Sequence, residues 1–289
     1  MKTLVIGGSG FLGSHIADQL NHQGHDVVIF DQIKSKWVSD KHAFIEGDIA
    51  NFDSLSEAFN QIDAVFHLAA VSDLDKAHND GLQTAKINVL GTVNALELSR
   101  VNKVSKFIYS SSIYVNSNSG GLYKVSKKAA EEYVIEYGKL FNLDYTIMRY
   151  GSIYGPRSDM SNGLYRIIKK AIKENKIEYE GSLDSIREYI HVEDVALASI
   201  NALSNSSFKN NIINITGQER YVIRDLLKMI GEILNLDVSI NEIKDKKLGH
   251  YVMTPYSYTK IIPKKYVMPF YIDFGQGLLQ IIEEIDTDK

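Results

Sequence analysis

The feature of the sequence that most constrains the fold is a glycine-rich turn close to its start. The apolar residues 4–6 are too few for a helix, and Gly7, Gly10 and Gly13 follow them. Residues 11–20 continue with apolar side chains at helical spacing, so the stretch predicts a strand, a tight turn and a helix. Glycine lets a backbone approach a bulky anion, and the first amides of a helix have no partners within that helix. The turn is therefore predicted to bind a pyrophosphate.

The residues after this helix extend the same interpretation. A second strand is predicted over residues 26–30, and Asp31 stands at its end. In folds that bind dinucleotides, an acidic residue at about this spacing from the glycines binds a ribose. Together, the two strands, the helix and the carboxylate predict a dinucleotide site rather than an ordinary glycine-rich turn.

Strands and helices alternate through the first half of the chain, which is typical of a parallel sheet with helices on both faces. We predict further strands over residues 42–49, 64–70 and 106–109, and helices over residues 54–59 and 82–101. Ala69 and Ala70 end the apolar stretch 64–70, and we expect these small residues to form a wall for a flat ring or a sugar. Ligands of such sheets bind beyond the carboxyl ends of the strands, so Ser110–Ser112 are also placed to contact one.

A tyrosine and a lysine begin the helix that is predicted after these serines. Tyr123 and Lys127 are four residues apart, so they share one helical face. A phenol has a pKa of about 10 and is a poor base at neutral pH. A fixed ammonium nearby would lower that pKa, so that Tyr123 could take a proton from an alcohol while Ser112 holds the same alcohol. The three residues predict oxidation or reduction at an alcohol carbon.

Composition excludes several classes of protein. The 289 residues are 44% hydrophobic and 24% charged, as in a soluble globular protein. The net charge of −4 gives no basic surface for nucleic acid. The absence of cysteine excludes disulfides, thiolate metal sites and a cysteine nucleophile, and we predict no metal site. Gly7 ends the first apolar run too early for a signal peptide, and no stretch is long enough to cross a bilayer, so a cytoplasmic protein is expected.

In combination, these motifs resemble the extended short-chain dehydrogenase/reductases, and within them the NAD-dependent nucleotide-sugar epimerase/dehydratase family. The resemblance covers most of the chain. It is carried by the glycine turn, Asp31, and residues 47–48, 67–70, 88–92, 110–112, 123–127, 149–157, 187–195 and 214–217. It implies a Rossmann-type doubly wound α/β fold with a smaller C-terminal α/β lobe that binds substrate.

The resemblance implies a role for each matched residue. Tyr123 would be the general acid and base, Lys127 would hold the nicotinamide ribose, and Ser112 would bind the reacting hydroxyl. The carboxylate of Asp31 would bind the adenosine ribose and repel a 2′-phosphate, which favours NAD over NADP. The remaining cofactor contacts are expected from Gly7, Gly10, Phe11, Leu12, Gly13, Asp48, Ile49, Leu68, Ala69, Ala70, Asn88, Ser110 and Tyr150.

At the positions expected to bind substrate, the sequence departs more from the family pattern. Asn162 and Arg187 match positions that hold the nucleotide diphosphate, and a guanidinium suits phosphate oxygens. Ser152 stands where sugar epimerases often have Asn, and Lys247 stands in place of an Arg that grips phosphate. The loop between Ser112 and Tyr123 is unusually short, so a more open sugar pocket is expected.

The resemblance implies an epimerase that inverts carbon 4 of a nucleotide-diphosphate sugar through a 4-keto intermediate with tightly bound NAD, and a UDP-sugar is the expected substrate. An Asp-Glu pair typical of dehydratases is replaced by residues 113–114, Ile-Tyr. A reductase of a 4-keto nucleotide sugar, a dehydrogenase of a small alcohol and a non-catalytic dinucleotide sensor remain alternatives. Residues 1–151 with 192–214 would bind NAD, and residues 152–191 with 215–289 would bind substrate. A homodimer is expected, through a four-helix bundle of residues 82–101 and 123–140.

Overall fold

A computed structural model describes residues 1–236, 241–243 and 263–287 of the chain. The strands are β1 (Lys2–Ile6), β2 (Asp26–Asp31), β3 (His42–Glu46), β4 (Ala64–His67), β5 (Lys106–Ser112), β6 (Tyr145–Tyr150), β7 (Ser152–Tyr154), β8 (Glu178–Glu180), β9 (Ile186–Arg187), β10 (Tyr189–His191), β11 (Asn211–Ile215), β12 (Tyr221–Val222), β13 (Asn241–Ile243) and β14 (Lys264–Lys265).

The helices alternate with these strands. They are α1 (Phe11–His22), α2 (Phe52–Ser56), α3 (Leu74–Asn79), α4 (Gly81–Ala85), α5 (Gly91–Val101), α6 (Gly121–Phe141), α7 (Gly163–Glu174), α8 (Val192–Ile200), α9 (Ile223–Leu234) and α10 (Phe274–Thr287). Single 3-10 turns cover Glu57–Phe59, Ile113–Asn116, Asn201–Leu203 and Ser206–Phe208.

Eight strands form one parallel sheet in the order β14-β11-β6-β5-β4-β1-β2-β3. The chain leaves β1 toward one edge through β2 and β3, and then returns to β4 on the other side of β1. The carboxyl ends of β1 and β4 therefore flank the point where the winding reverses, which is where such sheets bind ligands. The predicted doubly wound α/β fold is confirmed.

The sheet is buried on both faces. One face packs a cluster around Leu4, Phe107 and Leu96, and the other packs a cluster around Val5, Ile16 and Val195. Because successive side chains of a strand point to opposite faces, neighbours such as Leu4 and Val5 join different clusters. This two-sided burial explains why the strands are nearly continuous apolar runs in the sequence.

A third apolar cluster lies in the C-terminal part of the chain. It joins α7, α9 and α10 through Ile168, Leu227 and Leu278, all fully buried, and it includes the aromatic ring of Tyr154. Short two-stranded pairs, β7 with β10 and β9 with β12, connect these helices to the large sheet. Within the described residues, no helix is long and apolar enough to span a membrane.

The strand predicted over residues 42–49 ends at Glu46, the helix predicted over 54–59 is α2 followed by a 3-10 turn, and two further elements differ from those observed. The strand predicted over residues 64–70 ends at His67, because the amides of Leu68 and Ala69 both donate to the carbonyl of Ile6 and turn the chain out of the sheet. The helix predicted over residues 82–101 is interrupted by a π-helical segment, Lys86–Leu90, between α4 and α5. Such π segments occur frequently at functional sites.

Four histidines are buried among the described residues, and burial shifts the pKa of three of them strongly. Burial lowers the pKa of His15 and of His191 to about 4, and that of His67 to about 3. His15 lies against the carbonyl of Pro156, at 3.1 Å from its Nε2, and the nearby guanidinium of Arg157 lowers the same pKa further. In the unfolded chain each imidazole titrates at about 6.5.

The free energy of unfolding should therefore fall as the pH drops from 6.5 toward 4. Over that window the unfolded chain binds protons that the folded chain excludes, which costs about 2 kcal/mol for His15 between pH 7 and pH 5. Urea unfolding at both pH values measures this, and His15→Gln should reduce the pH dependence by about that amount. The exposed His22→Gln on the same helix should change it little. An equal effect of both variants would contradict the assignment.

Candidate active site

A cavity of about 520 Å³ opens at the carboxyl ends of β1, β4, β5 and β6. It lies at the reversal point of the sheet, as expected for a doubly wound fold. Most of the predicted cofactor and catalytic residues line it: Gly7, Gly10, Phe11, Leu12, Gly13, Asp31, Ile49, Leu68, Ala69, Ala70, Ser110, Ser112, Tyr123 and Tyr150.

The glycine turn is packed too closely for side chains at two positions. Gly7 has φ +85°, and a Cβ added there would lie 2.6 Å from the amide nitrogen of Ala69. A Cβ on Gly13 would lie 2.1 Å from the carbonyl oxygen of Gly7. The turn thus brings β1, the end of β4 and the start of α1 into direct backbone contact.

The N-terminus of α1 faces this cavity and has no side chain to cap it. Its N-cap residue is Gly10, whereas Asn51, Asp73 and Asn162 cap α2, α3 and α7 with side-chain oxygens. Among the described residues of this turn, the amides of Phe11 and Leu12 are therefore left for an external acceptor. An anionic phosphate fits these donors and the positive end of the helix dipole.

Asp31 occupies the far end of the cavity, where a ribose is expected. Its Oδ2 accepts from the amide of Ser9 at 3.0 Å, and its Oδ1 accepts from the amide of Gln32 at 2.8 Å. Burial raises the pKa of this carboxyl, and the backbone donors partly offset the shift. Each oxygen keeps acceptor capacity for a hydroxyl, so the carboxylate suits a ribose diol.

Three predicted cofactor residues, Asp48, Asn88 and Lys127, lie beside the cavity and do not line it. Asp48 turns its carboxylate onto the amide of Ala50, at 2.9 Å. Asn88, which is 1% exposed, accepts from the amide of Val71 and donates to the Val71 carbonyl and to Ser126 Oγ. Asn88 therefore anchors the segment that follows β4. It does not line the cavity in which a cofactor would bind.

Ser112 and Tyr123 meet at the end of β5. Their side chains are hydrogen-bonded to each other, and Ser112 Oγ also accepts from the amide of Tyr114 at 3.3 Å. Tyr123 is 9% exposed, and the ring of Tyr114 lies against it with the centroids 6.2 Å apart. Burial raises the pKa of Tyr123 to about 12, and the hydrogen bond with Ser112 opposes that shift.

Lys127 lies behind Tyr123 and is 3% exposed. Its Nζ donates to the carbonyl of Ser110 at 2.7 Å and lies 5.0 Å from the ring centroid of Tyr109. Burial lowers the pKa of Lys127 to about 7, against the nearby charge of Glu131. The sequence predicted a lowered pKa for Tyr123; the direction is the opposite, because burial of the phenol outweighs any effect of the ammonium.

Of the predicted substrate residues after Tyr123, the structure describes Ser152, Asn162 and Arg187, and none of the three lines the cavity. Ser152 is half-buried in β7, between the cavity residues Gly151 and Ile153. Asn162 accepts from the amides of Leu164 and Tyr165.

The side-chain nitrogen Nδ2 of Asn162 donates to the carbonyl of Ile153. The side chain of Asn162 therefore mainly caps α7. Arg187 is half-buried in β9, paired with β12, and its Nη1 donates to the carbonyl of Ile186. Neither Asn162 nor Arg187 lines the cavity. Lys247 lies outside the described residues.

Several residues around the cavity were not predicted from the sequence. Val71 and Ser72 line the cavity next to Ala70, and their position directly after β4 could have indicated this. Gln83 lines it from α4, and no local pattern signals that contact. Glu131 and Arg149 are buried and hydrogen-bonded to each other near Lys127, and the sequence indicated no role for either. A carboxylate four residues after Lys127 on the same helix was the available signal.

The chain is similar to known proteins of one enzyme family. A family model described as the NAD dependent epimerase/dehydratase family matches residues 3–216. A putative UDP-glucose 4-epimerase of Methanocaldococcus jannaschii is 34% identical over 250 residues, which cover 78% of this chain and 81% of that protein. A UDP-glucose 4-epimerase of Mycolicibacterium smegmatis is 32% identical over 229 residues, with coverage of 70% and 73%.

Solved structures with the same fold include enzymes that act on UDP-sugars. The crystal structure of UDP-glucuronic acid 4-epimerase from Bacillus cereus, in complex with UDP-glucuronic acid and NAD, superposes with a TM-score of 0.86. It is 25% identical, and the alignment covers 100% of both chains.

Proposed function

The chain belongs to the NAD-dependent epimerase/dehydratase family, and on that premise we propose that it epimerises carbon 4 of a nucleotide-diphosphate sugar with tightly bound NAD. The observation that carries the proposal is the meeting of Ser112, Tyr123 and Lys127 at the end of β5, beside a cavity with the features of a dinucleotide site. The relatives named as 4-epimerases support the choice of reaction.

The residues around the cavity fit NAD. The uncapped N-terminus of α1 would hold the pyrophosphate, Asp31 the adenosine ribose, and Ile49 one side of the adenine. Leu68, Ala69, Ala70, Ser110 and Tyr150 would surround the nicotinamide end. When bound, NAD supplies the acceptor that takes hydride from carbon 4 and returns it to the opposite face of the 4-keto sugar.

The protein contributes the proton chemistry. Tyr123 takes the proton from the hydroxyl on carbon 4 and later returns one to the ketone oxygen, while Ser112 holds that oxygen in line. With a pKa of about 12, the phenol is protonated at neutral pH and can accept a proton only as the minor phenolate form. A fixed positive charge near it lowers that pKa, so Lys127 has to stay protonated for the cycle to run.

The short loop after Ser112 favours epimerisation over dehydration. Ile113 is 2% exposed and packs into the protein, so it offers no acid or base to the sugar. Residues 113–116 form a single 3-10 turn, and α6 begins at Gly121. A short wall leaves space in which a 4-keto sugar can rotate between the two faces.

The substrate is proposed to be a UDP-sugar, bound by the C-terminal lobe. Residues 1–151 with 192–214 would bind NAD, and residues 152–191 with 215–289 would bind the sugar nucleotide. Asn162, Arg187 and Lys247 would contact the diphosphate, and Ser152 would contact the substrate at the boundary between the two parts. The UDP-glucuronic acid in the Bacillus cereus structure supports this class of substrate.

We also propose that the protein is a cytoplasmic homodimer, paired through a four-helix bundle. Apolar side chains are exposed on the two helical segments concerned. Leu82 and Leu90 project from the α4–α5 segment, and Leu122, Val125 and Tyr133 from α6. The two groups are adjacent, since Leu122 lies against Gly81 at the start of α4. A contiguous exposed apolar surface is typical of an interface.

Val125→Asp should therefore give a monomer, because it would bury a carboxylate in the proposed interface. Sedimentation equilibrium at micromolar concentration measures this directly. Leu197→Asp on α8 is the matched control, since it also places a carboxylate at an exposed leucine but lies off both helices. A Val125→Asp protein that stays dimeric would contradict this interface.

The reaction is tested by incubating the purified protein, without added cofactor, with UDP-, GDP-, CDP- and dTDP-sugars. The configuration at carbon 4 is followed by NMR, and NADH by absorbance. Conversion of a sugar to its 4-epimer without net NADH supports the proposal. If no sugar is converted while a 4-keto sugar consumes added NADH, the protein is a reductase.

A further inference from the structure

A buried ion pair lies directly behind the catalytic residues. Glu131 is 2% exposed and Arg149 is 7% exposed, and the two side chains form a bidentate pair. Arg149 Nε donates to Glu131 Oε1 at 2.8 Å, and Arg149 Nη2 donates to Oε2 at 2.6 Å. Glu131 lies on α6 and Arg149 on β6, so the pair ties a helix to the sheet beneath it.

A contribution to folding stability alone does not explain why such an ion pair is buried. Removing two charges from water costs several kcal/mol per ion, and replacement by apolar residues is often neutral or stabilising. The position of the pair gives a better reason. Its two remaining contacts reach the catalytic strand and loop: Ser111 Oγ donates to Glu131 Oε1 at 2.5 Å, and Arg149 Nη1 donates to Asn116 Oδ1 at 3.0 Å.

Lys127 and the ion pair contact neighbouring residues at the end of β5. Lys127 and Glu131 are one helical turn apart on the same face of α6. Lys127 Nζ bonds the carbonyl of Ser110, Glu131 bonds the side chain of Ser111, and the next residue along β5 is Ser112. The strand end that presents Ser112 is therefore held by both side chains.

Resting on the proposed function, we propose that Glu131, oriented by Arg149, is a positioning residue of the site: it fixes the end of β5 and supplies the negative charge that keeps Lys127 an ammonium. The other groups that face Lys127 do not supply that charge. Tyr123 and Tyr109 are phenols that burial keeps neutral, and His67 is a buried imidazole whose protonation would add a like charge. Arg149 is the far partner of Glu131. Its guanidinium is itself positive and cannot supply a negative charge.

The consequence for the reaction follows from burial. Burial brings the pKa of Lys127 down to about 7, and the charge of Glu131 is what opposes that fall. Without the carboxylate, the pKa of Lys127 would fall further, so Lys127 would lose its proton, and Tyr123 the positive charge behind it, at a lower pH than in the unmodified protein. Activity would then decline at a pH where the unmodified protein still works.

The test compares three variants of the full-length protein. Glu131→Gln removes the charge but leaves Arg149 buried and unpaired, which can prevent folding. Glu131→Gln/Arg149→Met removes both charges and avoids that outcome. Ser111→Ala removes a hydrogen bond to Glu131 and leaves the charge in place, so it is the matched control. Thermal unfolding verifies that each variant is folded.

The first measurement is the titration of Lys127, followed by NMR of ε-¹³C-labelled lysine and assigned by loss of its signal in Lys127→Met. This readout is independent of sugar chemistry, so it stands even if the proposed epimerisation is wrong. The midpoint should fall by about one pH unit in the double variant and stay unchanged in Ser111→Ala. An unchanged midpoint in the folded double variant would overturn the proposal.

The second measurement is the pH profile of kcat for 4-epimerisation. The alkaline limb should move down by about the same pH unit, with kcat at pH 8 reduced about tenfold. A purely structural role would lower the melting temperature and scale the whole profile without moving its limbs, which would contradict the proposal.

Discussion

Tyr123→Phe should reduce kcat for 4-epimerisation by about a thousandfold, within the range that a general acid and base contributes. The phenol is the titratable group that meets Ser112 at the mouth of the cavity. Removing its oxygen leaves the sugar hydroxyl without a proton acceptor, while the ring still fills the same buried space. Initial rates measured by NMR and NAD binding measured by calorimetry should separate these effects.

NAD affinity should change by less than about threefold in that variant, since the cradle formed by the glycine turn and Asp31 is untouched. Tyr145→Phe is the matched control. Tyr145 begins β6 at the opposite, amino-terminal end of the sheet and is half-buried, so its variant should keep full activity. A Tyr123→Phe protein that retains a tenth of the activity would show that another group carries the proton.

Gly7→Ala should abolish tight NAD binding and destabilise the fold. A non-glycine residue at φ +85° costs about 1 kcal/mol, and its Cβ would lie 2.6 Å from the amide nitrogen of Ala69, where only backbone could move. Overpacking of this kind adds about 2 kcal/mol. We expect the free energy of unfolding to fall by about 3 kcal/mol and the NAD dissociation constant to rise about a hundredfold.

Gly24 provides a control for the backbone strain alone. It has φ +80°, and an added Cβ would meet nothing within 4 Å. Gly24→Ala should therefore cost about 1 kcal/mol of unfolding free energy and leave NAD affinity unchanged. Urea unfolding and calorimetry measure both quantities. If the two variants lost stability and affinity equally, the close approach of Gly7 to Ala69 would have no special role.

Much of the cofactor half could be predicted from sequence because its signals are local. The glycine turn, Asp31 and the strand-end serines each follow from a strand that stops at one edge of the sheet, and all line the same cavity. The break in the helix predicted over residues 82–101 was not foreseen. There, Asn88 bonds the backbone of Val71, a tertiary contact that leaves no periodic pattern.

The remaining differences between prediction and structure arise from burial and from tertiary contacts between side chains, which a sequence does not display. Asn162 matches a substrate position, yet its side chain caps α7. The pKa of Tyr123 rises although Lys127 is one turn away, because burial of the phenol dominates. The pair of Glu131 and Arg149 spans 18 residues and needs the packing of α6 on β6 before it exists.

The central claim is that one bound NAD serves both halves of an epimerisation in the same site. The most direct test uses a UDP-sugar deuterated at carbon 4, with unlabelled NADH added to the solution. If the claim is right, NMR will find the 4-epimer with its deuterium retained at carbon 4 and no net loss of NADH. Loss of the deuterium to solution, or consumption of NADH in proportion to product, would contradict it.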